Sequence, residues 1–201
     1  MGRSIFRDGM ERIRPGNAAA AWGDISTFSF YANKLITTGE GGMMLTSDPG
    51  YAERARSLRN LCFRPERRFY HTELGYNYRL TNLQAALGLA QLERFDEIVA
   101  KKRWMGQTYT ERLKDIPFLQ LPVEEPWAKN VYWMYGVVLD GAAGMHEQPV
   151  FLQRGLFQGE HYPVAERLAR QGLYLPSGIA LTESQLDQVC TAVRTVLDAA
   201  R

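Results

Sequence analysis

The sequence lacks the features that mark membrane-spanning proteins and disulfide-stabilised secreted proteins. No apolar stretch approaches the roughly 20 residues needed to cross a bilayer, and the opening MGRSIFRDGMERIRPG has no apolar core of a secretory signal. Cysteine is scarce: Cys62 and Cys190 lie far apart and fit no metal-ligand spacing. We therefore expect two reduced thiols in a cytoplasmic protein.

A strong charge of either sign is also missing. Lysine and arginine together number 24 against 22 acidic residues, a net charge of +2, which predicts no dominant attraction to nucleic acid or to an anionic membrane. Internal repeats are absent, and the only low-complexity run is 18–21. The 201 residues, 45% hydrophobic and 23% charged, are enough for one good core or one and a half small domains.

The most informative stretch is GDISTFSFYANKLITTGEGG at 23–42, which places one lysine between two predicted strands. Aromatic and β-branched residues predict a strand over 24–31, and a second apolar run covers 43–46. Lys34 follows the first strand in a short polar turn. A loop lysine is usually solvated, and the glycines after it usually make turns, so composition alone gives Lys34 little claim to catalysis.

Helix signals follow this stretch. Asp48 as N-cap and Pro49 at the first helical position predict a helix start. Further on, apolar residues at helical spacing predict one amphipathic helix from about 81 to 114, with a bend near Gly106. Between the two, the arginine-rich segment CFRPERRFYHTE at 62–73 has two interpretations. The commoner is a solvated surface, and the functional alternative is a contact for an anionic diphosphate.

The remainder of the chain predicts a connector over 117–126, a strand over 131–139 and two helices. Pro163 opens the first of these helices and Gly172 closes it. The terminal helix begins at a candidate capping box of Thr182 and Gln185, and its apolar stripe comprises Leu186, Val189, Val193, Val196 and Leu197, with Cys190 as a small buried neighbour. The histidines show no metal-ligand spacing and are expected to be structural or solvent-facing: His71, His146 and His161.

Two motifs carry a resemblance to a known family. S-F-Y-A-N-K followed by T-T-G-E-G-G, together with G-Y-N-Y-R-L-T-N-L-Q-A-A-L-G-L-A-Q-L-E, resembles the DegT/StrS family of sugar aminotransferases, which use pyridoxal phosphate. The resemblance covers roughly 22–139 and 145–197. It implies a partial chain that lacks the upstream half of the large domain and has an internal gap near residue 144.

The resemblance implies an α/β fold, part of the aspartate-aminotransferase-like fold type I. Residues 1–22 would form a poorly defined N-terminal segment. Residues 23–116 would be the C-terminal part of the large cofactor-binding domain, including the long helix. Residues 117–201 would form an incomplete α+β small domain.

The resemblance also assigns roles to individual residues. Lys34 would form a Schiff base with pyridoxal 5'-phosphate and act as general acid and base. Ser29 would donate its hydroxyl to the cofactor phosphate, and Asn77, with Arg79 as a neighbouring candidate, would contact the phosphate held by a partner subunit. Residues 1–22 offer no aspartate in the family's context for pairing with the pyridine nitrogen, and no metal site is expected.

By resemblance, the reaction would transfer an amino group from L-glutamate to a keto group of a nucleotide-linked sugar, in a homodimer serving aminosugar or polysaccharide biosynthesis. Lysine at position 34, where dehydratase relatives have histidine, favours an aminotransferase. One alternative is a catalytically inactive remnant that only folds or dimerises through its long helix. Another is a nucleic-acid-binding regulator using the arginines of 54–68, which the small net charge disfavours.

Overall fold

The computed structural model describes residues 12–13, 23–140 and 159–199, and the chain divides into two compact units. Unit 1 comprises Met1–Val99 and Glu125–Val131, and unit 2 comprises Ala100–Glu124 and Tyr132–Arg201. Most of the predicted N-terminal segment, the gap near residue 144 and His146 lie outside the described residues. The domain boundary expected between residues 116 and 117 stays a prediction. No helix in the described ranges combines the length and the apolar character needed to cross a membrane.

Unit 1 contains two short antiparallel ribbons. β1 (Arg12–Ile13) pairs with β5 (Lys129–Asn130), and β2 (Ser26–Ser29) pairs with β3 (Gly42–Leu45). β2 lies inside the strand predicted over 24–31, and β3 starts one residue before the predicted 43–46. β1 falls in a segment for which the sequence predicted neither helix nor strand.

The helices of the first half begin at the predicted caps. α1 (Pro49–Arg59) starts after Asp48, whose carboxylate accepts a hydrogen bond from the Tyr51 amide at 2.9 Å. α2 (Asn82–Leu92) starts at a capping box formed by Thr81 and Gln84.

The prediction of one continuous helix over 81–114 is wrong, because α2 ends at Leu92 and α3 (Phe95–Leu113) begins after two intervening residues. At the junction the Arg94 amide donates to the carbonyl of Gln91, three residues back, at 3.1 Å. A hydrogen bond to the third residue back tightens the turn and interrupts the regular pattern of i→i−4 bonds. Gly106, where a bend was expected, lies inside the continuous α3.

Unit 2 is built on a three-stranded antiparallel sheet with the order β4-β6-β7: β4 (Leu119–Gln120), β6 (Tyr135–Leu139) and β7 (Gly172–Leu175). α4 (Pro163–Gln171) ends at Gly172 as predicted. α5 (Glu183–Ala199) follows a Thr182–Gln185 pair that makes both bonds of the expected capping box. The predicted strand 131–139 starts four residues late, because Tyr132 has a φ of 49°, a left-handed conformation that breaks extended pairing.

The core of unit 2 joins α3, the sheet and α5. Its buried members are Met105, Tyr109, Leu113, Ile116, Leu119, Tyr132, Tyr135, Val137, Leu175, Leu186 and Cys190. Burial raises the pKa of both Tyr109 and Tyr135 to about 12. On α5 the predicted apolar stripe is confirmed except at Val196, which is 66% exposed.

Among the residues of unit 2 that the structure describes, one charged side chain is buried. Lys102, on α3, is 4% exposed, and its Nζ donates to the carbonyl oxygens of Trp133 at 2.7 Å and Ser177 at 2.5 Å. Burial lowers the pKa of Lys102 to about 8, because the apolar surroundings penalise the ammonium form.

Candidate functional site

The candidate site in unit 1 is the loop between β2 and β3, which carries Lys34. The Phe30 amide donates to the carbonyl of Gly41 at 2.9 Å, and the Thr38 amide donates to the carbonyl of Phe30 at 2.9 Å, so the two ends of the loop are tied together. Inside the loop, the Lys34 amide donates to the Tyr31 carbonyl at 3.0 Å and closes a turn. The lysine therefore occupies a defined turn in a closed loop.

The inner side of this loop is anchored by burial. Leu35 is 9% exposed, Ile36 is 5% exposed and Thr38 is 5% exposed, whereas Lys34 is half-buried. The Thr38 hydroxyl donates to the Glu40 carbonyl at 2.5 Å. A φ of 80° at Gly39 and 128° at Gly41 lets the chain turn back into β3, a conformation that favours glycine.

Ser29 is the last residue of β2, at the start of the loop. Its Oγ accepts a hydrogen bond from the Tyr31 amide at 3.3 Å. Within the described part of the chain, no acceptor takes the hydroxyl proton, so Ser29 keeps one donor for an anionic group. Ser29 and Lys34 thus belong to one local structure.

Asn77 belongs to a different local structure, the segment that returns from the arginine-rich loop to α2. Its backbone forms an antiparallel bridge with Asn60, and the Tyr78 amide donates to the Arg59 carbonyl at 3.0 Å. The guanidinium of Arg79 donates to Asn60 Oδ1 at 2.5 Å. The Asn77 side chain is exposed and makes no hydrogen bond to any described residue, so its carboxamide remains available.

The arginine-rich segment 62–73 mixes ion pairs with aromatic contacts. Arg54 of α1 donates to the carboxylate of Glu73 at 2.7 Å, which holds the pKa of Glu73 below its usual value. Arg67 lies over the ring of Tyr70, 5.1 Å from the centroid, and Arg68 lies over Phe69 at 5.5 Å. A diphosphate contact on this segment stays a prediction.

Two functional candidates escaped the sequence analysis: Gln84 and Gln91 of α2, which donate to the backbone of the Lys34 loop. Their sequence signal was available, since two amide side chains seven residues apart share one face of a helix whose other residues, apart from Asn82, are apolar. The sequence does not show that these side chains bind the Lys34 loop, because that loop lies more than forty residues away from them in sequence. In the described residues no group of three or more histidine, cysteine or acidic side chains could hold a metal.

Known proteins match this chain over most of its length. The model of the DegT/DnrJ/EryC1/StrS aminotransferase family matches residues 13–143. GDP-perosamine synthase from Caulobacter vibrioides is 36% identical over 203 residues, covering 90% of this chain and 55% of that protein. The enzyme of the same name from Escherichia coli O157:H7 is 34% identical over 195 residues, covering 89% of this chain and 53% of that protein. The chain therefore spans about half the length of the curated relatives it matches.

Solved structures match in the same way. The aminotransferase TlmJ from Streptoalloteichus hindustanus superposes with a TM-score of 0.83 at 29% identity, covering 94% of this chain and 56% of that one. DesV from S. venezuelae, solved in complex with a ketimine intermediate, gives a TM-score of 0.83 at 29% identity, covering 96% of this chain and 57% of that one. The predicted partial fold type I architecture is thereby confirmed. Since the family match runs through both the Lys34 loop and the Asn77 segment, this chain belongs to the DegT/DnrJ/EryC1/StrS aminotransferase family.

Proposed function

We propose that this chain carries the lysine-bearing part of a pyridoxal 5'-phosphate-dependent aminotransferase that moves an amino group from L-glutamate to a keto group of a nucleotide-linked sugar. The names of its relatives support this substrate class. Besides the two GDP-perosamine synthases, the dTDP-3-amino-3,4,6-trideoxy-alpha-D-glucose transaminase of Streptomyces venezuelae is 30% identical over 200 residues, 52% of its own length. The observation that carries the proposal is the half-buried Lys34 in its closed turn.

The donor set of unit 1 fits both ends of the cofactor. Lys34 supplies a primary amine for the aldehyde, and Ser29 keeps a hydroxyl donor for the phosphate of the same cofactor. Asn77 keeps a carboxamide donor for the phosphate of the cofactor that a partner subunit holds. When bound, pyridoxal phosphate supplies the electron sink that stabilises negative charge on the substrate carbon. The described residues provide no assigned partner for the ring nitrogen.

The residues of this chain would then have distinct tasks. Lys34 would take the proton from the amino-bearing carbon of the donor and pass it to the cofactor within the first half-reaction, and would move a proton in the opposite direction, onto the carbon of the second substrate, in the second. Ser29 donates a hydrogen bond to the phosphate of the cofactor that Lys34 holds, and Asn77 of the partner subunit donates a second one, so that the orientation of the ring with respect to the amine is fixed. The closed loop limits the conformations open to Lys34 before any ligand arrives.

The test is covalent trapping. The protein is incubated with pyridoxal phosphate, reduced with borohydride and digested for peptide mass analysis. We expect the label on Lys34, no label in Lys34→Ala, and full labelling in Lys129→Ala, which removes an exposed lysine of the same unit. Label that persists in Lys34→Ala contradicts the assignment.

We further propose that the chain forms a homodimer through α2. None of the eleven residues of α2 is charged and none is buried, and Leu83 is 85% exposed, Leu87 50% and Leu92 55%. A row of exposed leucines on a helix without charged residues is normally covered by another protein surface. The same feature supports the second candidate function, an inactive remnant that only folds or dimerises.

Sedimentation separates these possibilities when it is combined with the trapping experiment. The enzyme hypothesis predicts a dimer that is labelled on Lys34, and the remnant hypothesis predicts a dimer that is not. Leu83→Glu should shift either dimer towards monomer, and a wild-type chain that is monomeric at high concentration would contradict both.

We also place the protein in the cytoplasm, in aminosugar or polysaccharide biosynthesis, a proposal supported by two unpaired buried thiols and by the names of the relatives.

A further inference from the structure

We infer that Gln91 is a positioning residue for Lys34, because its carboxamide binds the backbone of the Lys34 loop at Thr37 and fixes the turn that carries the lysine. The inference rests on the role proposed above for Lys34. It adds a residue on a different secondary-structure element that determines where the amine is held.

The carboxamide of Gln91 is fully engaged. The Thr37 amide donates to Gln91 Oε1 at 3.0 Å, and Gln91 Nε2 donates back to the Thr37 carbonyl at 2.7 Å. The second Nε2 proton goes to the Leu87 carbonyl of α2 at 2.8 Å. With both protons and the oxygen in use, only one orientation of the amide satisfies all three bonds. Thr37 follows Lys34 by three residues, so this clamp acts beside the lysine.

Two further residues extend the same face of α2. Gln84, two helical turns before Gln91, donates to the Glu40 carbonyl at 3.1 Å. Between them, a Cβ atom at Gly88 would lie 3.0 Å from the methyl carbon of Thr38, so the helix backbone approaches the loop closely. An amide, a glycine and an amide therefore form a contact face on an otherwise leucine- and alanine-rich helix.

The loop has other attachments, and these define what Gln91 adds. The Thr38 amide and the Thr37 hydroxyl both donate to the Phe30 carbonyl, each at 2.9 Å, and Leu35 and Ile36 are buried. Without Gln91 these contacts still close the loop. The backbone amide and carbonyl of Thr37 would nevertheless lose their partners, which frees the turn that carries Lys34.

Two variants at position 91 separate hydrogen bonding from shape. Gln91→Met keeps the length of the side chain and removes both donor and acceptor. Gln91→Glu keeps the shape and the acceptor, but turns a carboxylate oxygen towards two carbonyl oxygens. Acidification protonates that carboxylate and restores one donor, so its effect should reverse at low pH. Gln188→Met, at an exposed glutamine of α5 in unit 2, is the matched control.

The decisive measurement needs no cofactor. Lysines are reductively methylated with ¹³C-formaldehyde, the Lys34 signal is assigned with Lys34→Arg, and amide exchange is followed in parallel. In Gln91→Met we expect the Thr37 amide to exchange at least about tenfold faster while β2 changes less than about twofold. The Lys34 methyl signal should move towards that of free lysine. Unmodified Gln91→Met should trap pyridoxal phosphate on Lys34 at least about tenfold more slowly.

The remaining outcomes are equally informative. Faster exchange at Thr37 with an unchanged Lys34 signal would show that Gln91 braces the loop without positioning the lysine, and would overturn the inference. An unchanged Thr37 amide would overturn it as well, as would a Gln91→Glu effect that does not reverse on acidification. If the wild-type chain traps no pyridoxal phosphate, the proposed function fails, while the Lys34 methyl signal still decides the role of Gln91.

Discussion

The two units of this chain differ in what they bury. The six largest of the fully buried side chains in the described residues all lie in unit 2: Met105, Tyr109, Leu113, Tyr135, Val137 and Leu186. Unit 1 buries Leu35 and Ile36 under the lysine loop, yet leaves apolar side chains exposed on β3 and α2. The residues proposed for chemistry thus lie in the unit with the smaller core.

This contrast fits a chain that spans about half the length of its relatives. A small core stabilises a fold only weakly, since the buried apolar area must offset the conformational entropy lost on folding. Unit 2 buries a large set of apolar side chains in its own core. Unit 1 retains the local geometry of the Lys34 loop, which depends on backbone hydrogen bonds and on α2 more than on a core. Three experiments test this difference.

The largest effect should come from a matched pair of leucines. Leu186→Ala removes a side chain with 0% exposure and should destabilise unit 2 by about 2–5 kcal/mol. Leu83→Ala, at 85% exposure, should change stability by less than about 0.5 kcal/mol. Amide exchange of α5 and of α2 as a function of denaturant measures the two effects. A large cost for Leu83→Ala in the monomer would show that α2 is covered and that the contrast does not hold.

A pair of helical glycines should give a smaller difference. At Gly106 of α3, a Cβ atom would lie 2.4 Å from Cγ of the buried Tyr132 ring, so Gly106→Ala should cost about 2 kcal/mol despite the better helix propensity of alanine. At Gly88 the nearest atom is a methyl carbon at 3.0 Å, and Gly88→Ala should stay within about 0.5 kcal/mol. Thermal unfolding followed by circular dichroism compares the two variants. An equal loss of stability in the two variants would mean that α2 and α3 are packed equally closely at these glycines.

The third experiment uses pH. Burial lowers the pKa of Lys102 to about 8, whereas the unfolded chain keeps a lysine near ~10.4. Between these values the unfolded state binds more protons, so the free energy of unfolding should rise with pH, by about 1.4 kcal/mol per unit above pH ~8. Tyr109 and Tyr135 do not interfere below pH ~10, because their pKa values are raised. Burial also raises the pKa of the Cys190 thiol, and this lowers the free energy of unfolding above pH ~8.5, so the contribution of Lys102 is the difference between the slopes of the wild type and a Lys102 variant.

Urea unfolding between pH ~8 and ~9.5, followed by tryptophan fluorescence, measures this slope for unit 2. Lys102→Met should make the slope less positive by about 1.4 kcal/mol per pH unit, whatever its absolute stability, and Lys101→Met is the neighbouring control. Equal slopes in the wild type and in Lys102→Met would contradict the lowered pKa of Lys102.

Elements with strong local signals were predicted well from the sequence. Asp48 and Pro49 begin α1, Pro163 and Gly172 bracket α4, and Thr182 caps α5, since each of these acts on neighbouring backbone groups. The break after Leu92 was missed because neither proline nor glycine marks it.

Features that depend on distant partners could not be read from the sequence. The left-handed Tyr132 is held by a ring contact at Gly106 and by a 3.2 Å hydrogen bond to Glu124. The clamp at Gln91 depends on Thr37, fifty-four residues earlier. The lysine loop itself was found through a family motif, while the helix that fixes it emerged only from the fold.

The ribbon of β2 and β3 also affects how an isolated copy of this chain would survive in a cell. β3 pairs with β2 along one edge, and Met43, Met44 and Leu45 are 51%, 46% and 45% exposed. Uncovered apolar strand edges recruit other strands, and they are bound by chaperones and cut by proteases. The lifetime of the polypeptide would then depend on how soon this edge is covered, and the strand that follows the Lys34 loop would govern degradation of the protein.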